Sequence, residues 1–388
     1  MRMEAKRSIG FPGGTAHVVT SDALRQSQAW PAALASLAKD HRFYEIVEQT
    51  LDCGFEHHYV ILEDEVGTIR GIQPIFFVRQ NLVEGVPALH APVAAIRRAF
   101  PRFLTMRILM VGCAAGDGHL GVCTPGDEEW VAGALQSTLG SIARQSNASL
   151  VVFKDFSARY REPLSRLTSD GYTRVPSMPM TRLALRHRDF EAYLNTLGGS
   201  TRKDLRRKFR KAEQAVPITL DVVSDVPAIV DELYPLYLQV HQRSPLKFET
   251  LTKDYFRSLG ERMPDRVRFF IWRQEGRVIA FSVALVHDGT IYDAYLGLDY
   301  RVALDLHLYF YTFRDIIRWS LAHGLRWYCS SPLNYRQKLH LGCELMPLDL
   351  YVMHTSPVLN SIFRRALKFL EPTRHDPVLQ QFPNASEL

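Results

Sequence analysis

One stretch of this 388-residue chain, from Arg268 to Met353, leaves few folds open. It starts with "VRFFIWRQEGRVIAFSVALV", two apolar runs divided by Glu275-Gly276, the short-range signature of paired antiparallel strands. A third strand, "TIYDAYLGLD", is followed by a long helix, "HLYFYTFRDIIRWSLAHGL", ended by Gly324. A fourth strand, "RWYCSSP", and the segment "YRQKLHLGCELMPLDLYVM" close the unit. A hairpin joined to strand–helix–strand predicts an α/β domain whose mixed, largely antiparallel sheet is flanked by helices.

The first half of the chain repeats this rhythm. "HHYVILEDEVGTIRGIQPIFFV" reads as a hairpin with Gly67 in its turn, and "LTMRILMVGCAAGDG" as a strand entering a glycine-rich loop. "DEEWVAGALQSTLGSIARQSNA" is a helix with acidic residues in its first turn, as the helix dipole prefers. "SLVVFKDF" and "SMPMTRLAL" complete the set. The length also exceeds that of an ordinary single domain. The expected organisation is a flexible N-terminus (1–15), two tandem domains (16–185 and 186–356), and an amphipathic helix with an irregular tail (357–388).

The order of elements in Arg268–Met353 resembles the GNAT acyltransferase core. Its wording, "LHLYFYTFRDIIRWSLAHGL…NYRQKLHLGCELMPLDLYV", is similar to the branch related to CelD/BcsL and Fem-type transferases. The resemblance implies two tandem GNAT-like domains, with the second catalytic, and an enzyme that moves an acyl group onto an amine. It also implies a thioester co-substrate, acyl-CoA or acyl carrier protein, and no metal.

Composition narrows the setting. Hydrophobic residues make up 46% and charged residues 23%, as in a globular protein, and the formal net charge of +6 favours an anionic partner without choosing one. Cys53, Cys113, Cys123, Cys329 and Cys343 are odd in number and form no C-x-x-C pair, so neither a disulfide framework nor a zinc pattern is expected. The basic N-terminus lacks the apolar core of a secretory signal, and no apolar run reaches about 18 residues. A cytoplasmic protein, peripheral to the inner face of the membrane if it meets one, is the expected setting.

Two basic segments stand out. Seven of the ten residues from Arg202 to Lys211 are Lys or Arg, in a helix expected over 200–213 with Ser200 as N-cap and Leu205 and Phe209 on one face. That helix fits a solvated face with two docked residues, a phosphate-rich partner such as RNA or the acyl donor, or an anionic membrane surface. Phe209 is its sole aromatic residue, which argues against base stacking and a nucleic-acid partner. Residues 358–370 set Leu359, Ile362, Phe363, Ala366, Leu367 and Leu370 against Arg364, Arg365 and Lys368. This helix either packs on its own domain or lies in a bilayer interface. Pro372, Pro377 and Pro383 make the tail beyond it irregular.

The chemistry of such a fold needs few side chains: a cleft that aligns amine and thioester, a base for the ammonium, a donor for the oxyanion and a proton for the leaving thiolate. Strand alternation places Asp293 and Tyr295 on one face, Asp293 as base or ammonium holder and Tyr295 as acid. His307, at the start of the next helix, is a second candidate base. The family's glycine-bearing pyrophosphate signature is absent from "DYRVALDLHLYF", which offers Arg301 and Leu306 instead. The resemblance also brings in Tyr335 and Lys338, matching a recurrent Tyr-x-x-Lys, as donor-binding residues. His241, Arg243 and Glu249 fall where acceptor contacts are expected. In the first half, Gly112, Gly116, Gly118 and Gly121 either cradle phosphates or form a plain loop.

Three function classes follow. The first is N-acylation of a lipid or envelope amine, best a long-chain amino-alcohol base in a ceramide-synthase-like reaction; amino-sugar acetylation is a neighbouring option. The second is Fem-type, tRNA-dependent aminoacyl transfer. The third is a non-catalytic binding module.

Overall fold

The Glu275-Gly276 turn forms as its residues dictate. Both have positive φ, 52° and 77°, the mirror-image turn that suits the twist of a tight hairpin. The computed structural model describes residues 7–51, 54–81, 87–100, 105–214, 216–244, 247–367, 371, 373 and 376–388. Cys53, Lys368, Leu370 and Pro372 lie outside the described residues, as does the side chain of Ala366. The chain divides into two compact units. Unit 1 holds Met1–Ala35, Asp52–Ser177 and Pro347–His375; unit 2 holds Ser36–Leu51, Met178–Met346 and Asp376–Leu388.

In unit 1, β1 (Arg7–Phe11), β2 (Gly14–Val19), β3 (Glu56–Asp64), β4 (Ile69–Asn81) and β5 (Thr105–Val111) pair antiparallel in succession. β5 then pairs parallel with β6 (Leu150–Ser157) by way of the helix Glu128–Gln145. That helix buries Val131, Leu135, Leu139 and Ile142, a stripe at three- and four-residue spacing, among Leu109, Val111, Val151 and Phe153. The stretch expected to be flexible up to residue 15 instead carries β1 and the start of β2, because Ser8, Ile9 and Gly10 find ladder partners in His17, Ala16 and Thr15.

Unit 2 repeats the scheme. After β7 (Thr173–Ala184), the strands β8 (Ile218–Val223), β9 (Val267–Gln274), β10 (Arg277–His287) and β11 (Thr290–Leu298) pair antiparallel in order. β11 pairs parallel with β12 (Trp327–Ser330) across the helix Leu308–Ala322. Phe313, Ile316 and Ile317 of that helix pack among Phe270, Ala280, Ile291 and Tyr328, while Trp272 Nε1 donates to Asp315 at 2.9 Å. The long amphipathic face and the parallel pair are two views of one constraint: only a crossover lets neighbouring strands run the same way.

Each parallel pair is completed by a strand from the other half of the sequence. β6 pairs antiparallel with Leu348–His354 of β13 (Glu344–His354), and β12 with Thr181–Ala184 of β7. The units are thus interleaved along the chain rather than consecutive blocks. The tail from Asp376 belongs to unit 2, where Leu379 and Phe382 pack on Tyr335 and Asn384 bonds both the N–H and the C=O of Leu345, as a strand neighbour would.

Candidate active site

The site begins with one extra residue. Val283 faces Tyr295 while its neighbour Ala284 faces Asp293, so Ala294 has no partner and β11 is bulged there. Adjacent residues of β10 point to opposite faces, and therefore so do Asp293 and Tyr295. This corrects the expectation from strict alternation that the two share a face. The partners agree: Asp293 accepts hydrogen bonds from Ser282 Oγ and from Tyr328 OH, the latter at 2.7 Å. Tyr295 donates to Glu249 Oε1 at 3.3 Å and stacks edge-on with Tyr237 and Tyr255.

The bulge also ends the parallel ladder. β11 and β12 are in register only over Thr290–Asp293 with Trp327–Ser330, and Tyr295–Leu298 continues paired to β10 alone. Beyond Asp293 no described strand pairs with that edge of β11. Ser331 marks the parting, its N–H donating to Asp293 O and its Oγ to Ala294 O.

Asp293 sits at this opening, walled by protein yet not sealed from solvent. Burial raises its pKa; the Ser282 and Tyr328 hydrogen bonds and the charge of Lys338 oppose that rise. Tyr328 and Tyr309 are both pushed up, chiefly by burial, and both feel the Asp293 charge. Lys338 is 5% exposed, donates to Ser331 O, and burial brings its pKa down to about 8. Cys343 is pushed up to about 12 by burial. The cluster holds a carboxylate of raised basicity beside an amine close to its own titration point, the pairing found where protons are moved.

Tyr335 and Lys338, expected to line the donor cleft, are instead buried. Tyr335 donates to Pro179 O at 2.8 Å and belongs to the small core around Leu345 and Phe382. Two successive left-handed residues before it, Leu333 (φ 75°) and Asn334 (φ 54°), turn the chain so that Lys338 points back to Ser331. Such backbone costs about 1–3 kcal/mol per residue and is held only by a well-packed surround.

The remaining candidates fall into two places. His241 reaches Glu249 O at 3.1 Å through Nε2, its ring lies 5.5 Å from that of Tyr237, and Arg243 lies 4.0 Å over Tyr300. His241 and Glu249 thus share the Tyr295 face, with Arg243 on the same helix as His241. His307, left-handed at φ 49°, precedes the helix Leu308–Ala322. Burial lowers its pKa first, then the charges of Lys208, Lys211 and Arg207. Leu306 is buried, and Arg301 points outward, ion-paired to the buried Asp299.

The basic helix runs from Gly199 to Gln214, so Ser200 lies inside it rather than capping it. Leu205, Phe209 and Ala212 are buried, and Lys208 lies 4.0 Å over the Phe310 ring at the start of the long helix. Arg207, Lys208 and Lys211 are the cations whose charge reaches His307, with Arg207 and Lys208 also ion-paired to Asp204 at 2.7 and 2.6 Å, and nothing local in the sequence marks which basic residues face the helix start. In unit 1, by contrast, the glycine-rich loop is filled by its own chain. The N–H groups of Gly112, Gly118 and Gly121 donate to Pro74 O, Asp155 O and Gln73 Oε1, and a Cβ at Gly121 would collide with Ile72 O. These three glycines serve internal hydrogen bonds and close packing, which favours the plain-loop reading over a phosphate cradle.

Residues 199–338 match the family model of the acetyltransferase (GNAT) domain. Among solved structures, FemX is similar with a TM-score of 0.50 at 11% identity, over 79% of this chain and 90% of that one. The C-terminal (DUF2156) domain of a putative lysylphosphatidylglycerol synthetase from Agrobacterium fabrum has a TM-score of 0.49 at 15% identity, over 81% and 88%. Saccharomyces cerevisiae N-myristoyltransferase with bound myristoyl-CoA has 0.48 at 12%, over 90% and 81%. None of the curated proteins matches the chain. The likeness to FemX concerns the fold. The acetyltransferase (GNAT) match falls within residues 199–338, which supports N-acyltransferase chemistry there, and the chain as a whole has an α/β fold of two units.

Proposed function

We propose that unit 2 transfers an acyl group from a thioester to the primary amine of a lipid or envelope acceptor, with Asp293 as the base. The observation that carries this reading is Asp293 itself, a carboxylate of raised pKa placed where β11 and β12 part. An ammonium at the opening gives its proton to Asp293, and the freed nitrogen forms a bond to the thioester carbonyl carbon. The carbonyl electron pair moves onto oxygen, which takes a hydrogen bond from the freed edge of β11. The pair returns as the C–S bond breaks, the nitrogen gives up its remaining extra proton to solvent at the opening, and the thiolate takes a proton from Tyr295 on the other face, which solvent then restores. Ser282 and Tyr328 hold the carboxylate, and Lys338 tunes it.

The donor's phosphates lie against Arg207, Lys208 and Lys211, close to His307 and the start of the long helix. Those cations replace the glycines that the sequence lacks, exchanging close backbone approach for charge. Apolar surface supports the lipid reading: Leu304 is 73% exposed beside the partly buried Tyr300, Tyr309 and Phe310. Each methylene buried there contributes about 0.8 kcal/mol. A long-chain amino-alcohol base is the acceptor we favour.

The test is amine-dependent thiol release from palmitoyl-CoA, palmitoyl-acyl carrier protein and acetyl-CoA, with a long-chain amino-alcohol as acceptor. Release with a palmitoyl thioester is expected. Release with acetyl-CoA alone overturns the lipid donor, and silence with all three overturns the thioester reading in favour of an aminoacyl donor.

A further inference from the structure

Unit 1 contains a cleft of about 470 Å³ that the chemistry above does not use. It is lined by Thr168, Tyr172, Thr173 and Arg174 on one side and by Ser361, Arg364 and Arg365 of the helix Pro357–Leu367 on the other. The Tyr172 hydroxyl and Thr173 Oγ1 are buried and have no hydrogen-bond partner. The nearby carboxylates leave a cationic excess. Asp349 is fully buried and held by both Arg161 and Arg174 at 2.6 Å, and Asp170 is close enough for its charge to act on Tyr172.

The same helix leaves its apolar stripe uncovered. Asn360 fixes it, donating to Gly171 O at 2.8 Å and accepting from the N–H of His354 at 2.9 Å, while Phe363 lies against the His354 ring. Val358, Leu359 and Ile362 are 74%, 44% and 58% exposed. On a helical projection they form one stripe of about 100°, with Arg365, Ser361 and Arg364 following along its border. An apolar stripe bordered by arginines is the pattern of a helix lying in a lipid interface.

We infer that this helix docks unit 1 on an anionic phospholipid surface, with a lipid phosphate seated in the Arg174–Arg364–Arg365 cleft. The apolar stripe enters the acyl boundary as the arginines meet the phosphate plane. A phosphate oxygen on the cleft floor supplies the acceptor that the Tyr172 and Thr173 hydroxyls lack. The inference stands on unit 1 alone and is independent of the acceptor proposed for unit 2.

Co-sedimentation of the full chain with vesicles tests it, comparing phosphatidylcholine alone with phosphatidylcholine containing 30% phosphatidylglycerol. Binding only to the anionic vesicles is expected. Arg364→Gln with Arg365→Gln should weaken it roughly 30-fold, about fivefold for each charge near the surface. Val358→Ser with Ile362→Ser should weaken it too, and both pairs should keep the wild-type melting temperature and thiol-release rate on a soluble amine. Tyr172→Phe should weaken binding without lowering the melting temperature. Equal binding to both vesicles, no binding to either, or binding unchanged by the arginine pair would overturn the proposal. So would saturable binding of inorganic phosphate without binding to vesicles, which would make the cleft a site for a free anion.

Discussion

Unit 1 and unit 2 share a topology and differ in one strand. Both set a parallel pair around a helix, β5 with β6 and β11 with β12. β4 and β5 stay in register from Asn81–Thr105 to Ile75–Val111, whereas β10 and β11 slip at Ala294. In unit 1 the loop after β5 turns the N–H groups of Gly112, Gly118 and Gly121 to the chain's own carbonyls and to the Gln73 side chain. In unit 2 the slip sends Asp293 and Tyr295 to opposite faces and frees an edge of β11. In the reaction proposed for unit 2, catalytic capacity belongs to a local irregularity carried by the fold, not to the fold itself.

Substitutions can break that contrast. Asp293→Asn should lower kcat by about 10²–10⁴, the usual contribution of a positioned base, while His119→Gln, in the unit 1 loop after β5 where His119 lies 3.0 Å from Asp117, should stay within about twofold. Equal losses would make the units equivalent. The same variant carries a stability signature. A folded carboxyl with a raised pKa contributes stability fully present below about pH 3.8 and lost as pH rises through the folded pKa. Asp293→Asn should therefore melt higher than wild type at neutral pH while losing activity, as thermal melts against pH would show.

Changing Arg207, Lys208 and Lys211 together to Gln should raise the donor KM about tenfold with little change in kcat, and should flatten the salt dependence of KM. Gly121→Ala should destabilise unit 1 by about 2–5 kcal/mol, because its Cβ meets Ile72 O, while the folded fraction keeps its thiol-release activity; denaturant melts would measure it. Lys338 supplies a smaller, pH-limited effect. With a folded pKa of about 8 against 10.5, the unfolded chain binds the extra proton between those values. Wild-type stability should thus climb by up to about 3 kcal/mol from pH 8 to 10.5, and Lys338→Met should remove the climb. The smallest effect expected is Tyr295→Phe, a few-fold loss in kcat, since solvent at the opening can also protonate the thiolate.

Much of the frame was legible in the sequence, because its signals are local. The Glu275-Gly276 turn, the stripe of Val131, Leu135, Leu139 and Ile142, and the docking of Leu205 and Phe209 follow from period and turn chemistry. What was not legible depends on partners far along the chain. The closing strands β7 and β13 pair with β12 and β6, 143–149 and 191–204 residues away, and no periodicity reports a partner. The bulge at Ala294 needs β10 as its reference, so alternation alone put Asp293 and Tyr295 on one face. Asp293 was singled out from its place in the strand, but its partners Ser282 and Tyr328 and the burial of Lys338 were not. They sit on β10, β12 and the short helix Tyr335–His340, and converge only once the sheet is built.

The most direct test is single-turnover thiol release from a saturating acyl thioester plus amine, comparing wild type, Asp293→Asn and His119→Gln between pH 5 and 8. Acyl transfer centred on the β11 bulge predicts near wild-type rates for His119→Gln. It predicts loss in Asp293→Asn of both the rate and the rise with pH that marks the carboxylate as base. A wild-type rate and an unchanged pH profile in Asp293→Asn would contradict it and return the search to unit 1.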